Sequence, residues 1–547
     1  MRFDYPDNWN TKTDLEKFQF ISEKIAASPE SAGGYTLLGE YYSLVNKNLA
    51  YLSYEQAAFY CERNGENAED LQYLENRLNE LRSLEDMTVR PASFIILSMN
   101  TLDFTRNCLE TIRSTCRKGS YEIVVVDNDS EDGSREYLAG QDDVILILND
   151  YNAGFPAGCN QGVRAASKEN DIFLLNSDTE LPVNAFFTLR LGLYADPRNG
   201  SAGCCTNYSK WQQLIPEKFS TREEFMAYGR KTNVPRENAY ELKNWLVGFA
   251  VIIRRDVYDL VGDLDERFTP GCHEDTDYGY RIMQAGYRNV LCWNSFMLHW
   301  GSKTFFKNKM AYGNIVENNL RKFTEKWGFT PTYYNSVRDD ITGLILHDQN
   351  SSFRLLDVGC GTGEMLGRLQ YRFPNAKFYG IERNEKAAAM AATKTNIFCG
   401  DIEKAYLPYE EDFFDYIVLG DVIPDFYDAD LVLAKLRPYL KKDGYILSAV
   451  NNVLNAVTVN DLLHGSFFYT RQGTRRSLQL RYYTLDDIRK LYSGNGYTVL
   501  FNVRMKTPHA ETSINPAFFD SLCQIPGVVE RRQFDECSYI MRVKKNG

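Results

Sequence analysis

Carboxylates and amides recur in this chain just after short apolar runs, where a folded sheet would present them together. "EIVVVD" ends in Asp127, and "DIFLLN" runs into Asn176, Ser177 and Asp178. "SFIIL" is followed by Ser98 and Asn100, and "VILIL" by "NDYNAGFPAGCNQGV". The last stretch places Gly154, Gly158 and Gly162 at four-residue spacing, with Asn152 and Asn160 among them. It is neither a G-x-G-x-x-G turn nor a P-loop. Further on, "HEDTDYGYR" gathers Glu274, Asp275 and Asp277. Strand-end carboxylates suit ribose hydroxyls and base edges, and glycines let backbone approach phosphates closely. The chemistry that fits is binding of an anionic, polyhydroxylated ligand. Each feature has a plainer reading: glycines for close helix–sheet packing, and an acidic cluster placed at a helix N-terminus by the macrodipole.

The elements that would position these residues alternate strand-like runs with helical periodicity over 91–340, the pattern of a mostly parallel α/β sheet. The alternation restarts at "FRLLDVG" and continues to the end, giving a second α/β domain over 350–547, with the polar stretch 346–352 as linker. Residues 1–90 read as all-helical. There Tyr35, Leu38, Gly39 and Tyr42 fall at the spacing of one tetratricopeptide-like helix, with "YEQAAFYCERNG" as its partner. A helical bundle packed on the next domain explains the same pattern.

The chain has 547 residues, 44% hydrophobic and 25% charged, and a net charge of −11. This balance argues against nucleic acid as a partner. No apolar run reaches the roughly 18 residues of a membrane span, so no integral membrane segment is expected. The polar start "MRFDYPDNWN" and twelve cysteines without a C-x-x-C pair fit a cytoplasmic protein with reduced thiols.

Taken together, residues 92–303 resemble a family 2 glycosyltransferase of the GT-A fold. Asn152 to Gly162 matches the family's N-x-G-F-x-x-G-x-N-x-G segment, and "HED" its acidic motif. The resemblance implies an inverting transfer from a nucleotide-diphosphate sugar, of the UDP-N-acetylhexosamine or dTDP-rhamnose kind. It assigns Ser98, Asn100, Asp127, Asn152, Gly154, Gly158, Asn160, Asn176 and Asp178 to the donor. It assigns Gly248, Glu274 and Asp277 to the acceptor side, and Asp275 to the base. "NSD" stands where the family has Asp-x-Asp, so Asn176 replaces the first acid. Asp178, with His299 in "MLHWGS", is the expected holder of Mn²⁺ or Mg²⁺, oxygen-preferring ions that can share ligands with the diphosphate. A purely structural histidine is the alternative.

"LLDVGCGTGEML" holds Asp357 and the turn Gly359, Gly361 and Gly363. Glu382 ends the next strand and Asp401 the third, suiting two ribose hydroxyls and an adenine amino group respectively. With these residues, 350–505 resembles a class I S-adenosylmethionine-dependent methyltransferase of Rossmann-like fold. Relatives carry Glu-His after the fourth strand and a histidine before Leu-Arg-Phe-Phe-Thr. Here Pro424 and Asp425 follow that strand and Gln479 precedes "LRYYT", so Asp421 or His464 would have to compensate. The whole implies a bifunctional enzyme acting on a glycan or a flagellin-like protein, flagellin being favoured because the helical start could dock a polypeptide. A surface-polysaccharide transferase, or a methyltransferase-like domain kept for binding, are the alternatives.

Overall fold

The computed structural model describes residues 9–209, 213–301, 309–467, 479–506 and 515–546. They form two compact units, Met1–Thr330 and Pro331–Gly547. No helix among the described residues is long and apolar enough to cross a membrane.

The first unit opens with four helices, α1 (Asp14–Ala27), α2 (Ala32–Ser43), α3 (Lys47–Asn64) and α4 (Ala68–Arg82). Side-chain caps start most of them: Thr13 closes a capping box with Glu16, and Asn46 and Asn67 cap α3 and α4. The repeat-like residues do not form a separate module. Tyr35 and Leu38 are fully buried in the same core as Phe94, Phe173 and Phe187. Tyr35 packs edge-on against Phe187, and Tyr60 donates to Asn184 Oδ1 at 2.7 Å. Arg190, buried beneath α3, pairs with Glu55. The helices are thus one layer of the α/β unit.

Strands β1 (Ala92–Ser98), β2 (Tyr121–Asn128), β3 (Val144–Asn149) and β4 (Asp171–Asn176) follow, then β5 (Thr179–Glu180), β6 (Asn199–Thr206), β7 (Tyr240–Lys243), β8 (Ala250–Ile253) and β9 (Arg288–His299). The sheet order is β3-β2-β1-β4-β8-β6-β9-β5, with β7 beside β9. β1 to β4 are mutually parallel, and β8 runs antiparallel between β4 and β6. The parallel register puts Ser98 beside Asp127, and Leu97 beside Asn176, so the polar strand ends meet at one edge. The helix Phe155–Ala165 lies close on this sheet: a Cβ at Gly158 would meet Leu97 at 2.4 Å, and one at Gly162 would meet Ile95 at 2.5 Å.

The second unit has strands β10 (Arg354–Val358), β11 (Lys377–Glu382), β12 (Asn396–Cys399), β13 (Phe414–Gly420), β14 (Leu440–Asn451), β15 (Tyr497–Lys506) and β16 (Glu536–Lys545). Their order is β12-β11-β10-β13-β14-β16-β15, parallel except for β16, which runs antiparallel to both neighbours. Residues 331–345, divided in the sequence reading between the middle domain and the approach to the linker, belong here. Ile341, Leu344 and Ile345 share a core cluster with Leu355, Tyr416 and Leu447 of this sheet.

Candidate active sites

At the edge of the first sheet, Asp127 is fully buried at the end of β2. Its Oδ1 accepts the Ser130 N–H at 2.9 Å, and its Oδ2 has no partner among the described residues. A buried carboxylate oxygen without a donor is costly unless a ligand supplies one. Ser130 also binds the adjoining loop, its hydroxyl accepting the Asn100 N–H at 2.9 Å, while Asn100 Oδ1 accepts from Glu131 N–H. Next to Asp127, the Asn128 amide donates to Asn152 Oδ1, which accepts the Gly154 N–H at 2.9 Å as well. Gly154 has φ +83°, and a Cβ there would meet Thr269 Oγ1 at 2.4 Å and Pro270 Cα at 3.2 Å. Only glycine fits that turn. The loop ahead of Asp275 therefore lies directly on the glycine stretch, and Phe155 N–H donates to Pro270 O at 2.8 Å.

Strand pairing brings His299 to Asp178. Thr179 of β5 stands opposite His299 of β9, and Trp300 N–H donates to Asp178 O at 3.0 Å. His299 Nδ1 lies 3.0 Å from the Tyr208 carbonyl, so that nitrogen carries the hydrogen. Nε2 lies 3.3 Å from Asp178 Oδ1, with the Asn176 amide 3.5 Å away. Phe249 stacks on the imidazole at 4.8 Å and 15°. A carboxylate oxygen and an imidazole nitrogen at this spacing are both ligand types that a divalent ion takes, so the pair fits one end of a divalent-ion site. Among the described residues no group of three His, Cys, Asp or Glu side chains could hold a metal unaided.

Asp275 is the second residue of the helix Glu274–Gln284. The turn before it places Cys272 and His273 both at positive φ, +77° and +72°. Such strain in non-glycine residues clusters at functional sites. Asp275 Oδ2 accepts the Gly248 N–H at 3.3 Å, and Oδ1 the Thr276 N–H at 2.6 Å. Burial pushes its carboxyl above the usual carboxylate range, opposed by His273. The residue after Gly248 is Phe249, whose carbonyl accepts Asn176 N–H at 2.8 Å and whose ring carries His299. Short relays of neighbours thus join Asp275 to Asp178 on one side and, through Gly154 and Asn152, to Asp127 on the other.

Several expected donor or acceptor residues are employed elsewhere. Asn160 is buried and clamps the loop at Leu264: its amide donates to Leu264 O and Glu266 Oε1, and its oxygen accepts Leu264 N–H. Gly158 faces Leu97, as above, and serves packing. Ser98 is fully buried in a hydroxyl cluster with Thr101 and Thr105, which reaches Ser177. Asp277 is a buried ion hub for Arg281, Lys326 and the Trp327 indole. Tyr208 and Phe249, which orient His299, carry no motif; a backbone carbonyl and a ring face leave no signature in sequence.

In the second unit, Gly359, Gly361 and Gly363 all have positive φ, between +56° and +76°. A Cβ at Gly361 would meet the Tyr334 carbonyl at 2.7 Å. The turn folds onto Glu382, whose Oε2 accepts Gly361 N–H at 3.0 Å and whose Oε1 accepts Asn384 N–H at 2.8 Å. A cavity of about 660 Å³, counting its open mouth, is lined by Gly359, Glu382, Asp401, Asp425 and Phe426 with Tyr334 above. Burial raises the Glu382 carboxyl above its ordinary value. Asp357 lies behind, held well above the carboxylate range by burial and then by the charge of Glu382. A glycine cradle, an acid at the strand end and a second acid beside it fit an adenosyl cofactor. Asp421 does not line this cavity: it sits at φ +60° and pairs with Arg338. His464 is exposed, its Nδ1 2.8 Å from Asn460 O, and does not line it either. Gln479 is buried; residues 468–478 of the expected acceptor segment lie outside the described residues.

Residues 93–258 match Glycosyl transferase family 2, and residues 349–475 match a Methyltransferase domain family. The chain is 33% identical over 106 residues to malonyl-[acyl-carrier protein] O-methyltransferase of Bacillus anthracis, which covers 18% of this chain and 38% of that protein. It is 24% identical over 225 residues to the O-antigen biosynthesis protein RfbC of Myxococcus xanthus, covering 38% of this chain and 17% of that one. The chain therefore spans well under half the length of either relative. A solved structure of GalNAc-T7 with UDP, GalNAc and Mn²⁺ aligns at TM-score 0.32 and 15% identity, over 42% of this chain and 48% of the other. The chain joins a family 2 glycosyltransferase domain of GT-A type to a methyltransferase domain of Rossmann-like type.

Proposed function

We propose that the first unit transfers a sugar from a nucleotide-diphosphate donor, of UDP-N-acetylhexosamine or dTDP-rhamnose type, to a glycan acceptor with inversion at the anomeric carbon. The observation that carries this is the gathering of Asp127, the Asp178–His299 pair and Asp275 at one sheet edge. The free oxygen of Asp127 receives the nucleoside, and the Asn152–Gly154 turn lies against the donor. Asp178 and His299 would hold Mn²⁺ or Mg²⁺, and the ion, when bound, would supply charge neutralisation for the departing diphosphate. Asp275 accepts the proton of the attacking hydroxyl, and its raised affinity for protons suits a base.

The acceptor we favour is a surface glycan, in keeping with the Myxococcus relative's O-antigen role. A flagellin-like protein, the acceptor expected from sequence, is the alternative acceptor. The second unit binds S-adenosylmethionine through the Gly359–Gly363 turn, Glu382 and Asp401; the cofactor, when bound, supplies the methyl group. A second reading keeps this unit for binding alone, favoured by the pairing of Asp421 with Arg338 and the exposure of His464. Incubation with sugar nucleotides, Mn²⁺, S-adenosylmethionine and a glycan acceptor panel, read by mass spectrometry, tests both. Sugar addition with a methyl mass supports the bifunctional enzyme, sugar addition alone the second reading, and no addition refutes the transferase.

A further inference from the structure

Glu274 stands beside the proposed base and enters none of the steps above. It opens its helix, is 7% exposed, and its Oε2 has no hydrogen-bond partner among the described residues. Glu274 and Asp275 line one cavity of about 360 Å³, counting its mouth, which runs from Phe155 and Gly248 down to Tyr278 and Ile282. The Tyr278 hydroxyl, one helical turn on, is likewise buried without a partner. The titratable groups facing Glu274 are Asp275 of its own turn and Cys159 from the helix Phe155–Ala165. His273, the residue before it, acts on Asp275. Burial and the charge of Asp275 both raise the Glu274 carboxyl, opposed by the backbone amides of Glu274 and Cys272.

Two carboxylates in one buried cavity do not both ionise cheaply; the charge goes to the better-solvated one. Asp275 has Gly248 N–H, Thr276 N–H and the Thr276 hydroxyl as donors. Glu274 has an oxygen with none. We propose that Glu274 is a positioning residue that holds the pair's proton, remaining a neutral acid and leaving Asp275 as the one carboxylate that receives the acceptor's proton. The last clause rests on the transferase reading; the protonation does not. In that reaction the acceptor oxygen bonds to the anomeric carbon. The bond from that carbon to the diphosphate breaks with its electron pair, and the hydroxyl proton moves to Asp275. Glu274 keeps its own proton throughout. Burial acts in the same direction, holding the Glu274 carboxyl well above the carboxylate range.

The test is the infrared spectrum of the full chain at neutral pH without substrates. The carbonyl stretch of a protonated carboxylic acid should diminish in Glu274→Gln relative to wild type and persist in Asp275→Asn. Difference spectra remove the contribution of Asp357, another buried acid raised by its surroundings. If Glu274→Gln misfolds, Glu274→Met carries the same measurement. An unchanged acid band in the Glu274 variants, or its loss in Asp275→Asn, overturns the proposal. Turnover gives a separate readout. Asp275→Asn should lose about 10²–10⁴-fold in donor turnover, the usual contribution of a general base, while Glu274→Gln, which keeps a neutral side chain of the same shape beside Asp275, should lose clearly less. Equal loss in both overturns the proposal, whereas wild-type inactivity refutes the transferase reading and leaves the infrared result to decide the protonation.

Discussion

Glu382→Gln removes the charge of the ribose-facing acid with almost no change in volume. In the wild type its two oxygens accept from Gly361 N–H at 3.0 Å and Asn384 N–H at 2.8 Å. Glutamine keeps one acceptor and turns an NH₂ toward the other backbone donor. A buried donor left unpaired costs about 1–3 kcal/mol of stability. The cofactor loses a charge-assisted hydrogen bond of about 1.5–3 kcal/mol. At 1.4 kcal/mol per decade this is a rise of about 10–150-fold in Kd for S-adenosylmethionine. Isothermal titration calorimetry of both proteins reads it directly. The pH dependence has a fixed sign. Burial raises the folded pKa of Glu382, so the charged form that binds ribose hydroxyls is lost early as pH falls, and affinity falls with it. For folding the sign is opposite: this group's contribution is full below its unfolded value and is lost as pH rises through the raised folded value. An unchanged Kd in Glu382→Gln, or affinity that climbs as pH falls, refutes the assignment of this acid.

Asn160→Ala should destabilise the first unit by about 2–4 kcal/mol, since both polar groups of Leu264 lose their partner, yet leave sugar-nucleotide affinity of the folded protein intact; denaturant unfolding and titration separate the two. Glu55→Gln leaves the buried Arg190 guanidinium without its counter-charge and should cost about 3–5 kcal/mol in urea unfolding, a loss below about 1 kcal/mol being contrary. His299→Ala and Asp178→Asn should each weaken Mn²⁺ binding in the presence of nucleoside diphosphate by at least the roughly 10–100-fold that loss of a supporting partner costs, measured by calorimetry; unaltered binding in either contradicts the ion site.

Much of this was legible because the relevant physics is local. Apolar runs such as "EIVVVD" became β-strands, and Asp127 and Glu382 lie at their ends as the runs imply. Gly154 and the three glycines after Asp357 occupy backbone conformations that other residues rarely adopt. The misreadings involve partners remote in sequence. Asp277 sits in an acidic motif, but its fate is set by Lys326 and Trp327, some fifty residues on. Asn160 shares a motif with Gly154, yet its amide is committed to Leu264. The repeat-like spacing around Tyr35 left two readings open, and the structure takes the bundle packed on the next domain, with Phe187 against Tyr35. Residues 331–345 held too few apolar positions to reveal which sheet they would join.

The most direct test of the central claim is the rate of nucleoside diphosphate release from the preferred sugar nucleotide, with Mn²⁺ and acceptor, in wild type and in Asp275→Asn. The convergence at the sheet edge predicts turnover in wild type and a loss of about 10²–10⁴-fold in the variant, with donor affinity preserved. Equal rates in the two proteins would contradict it.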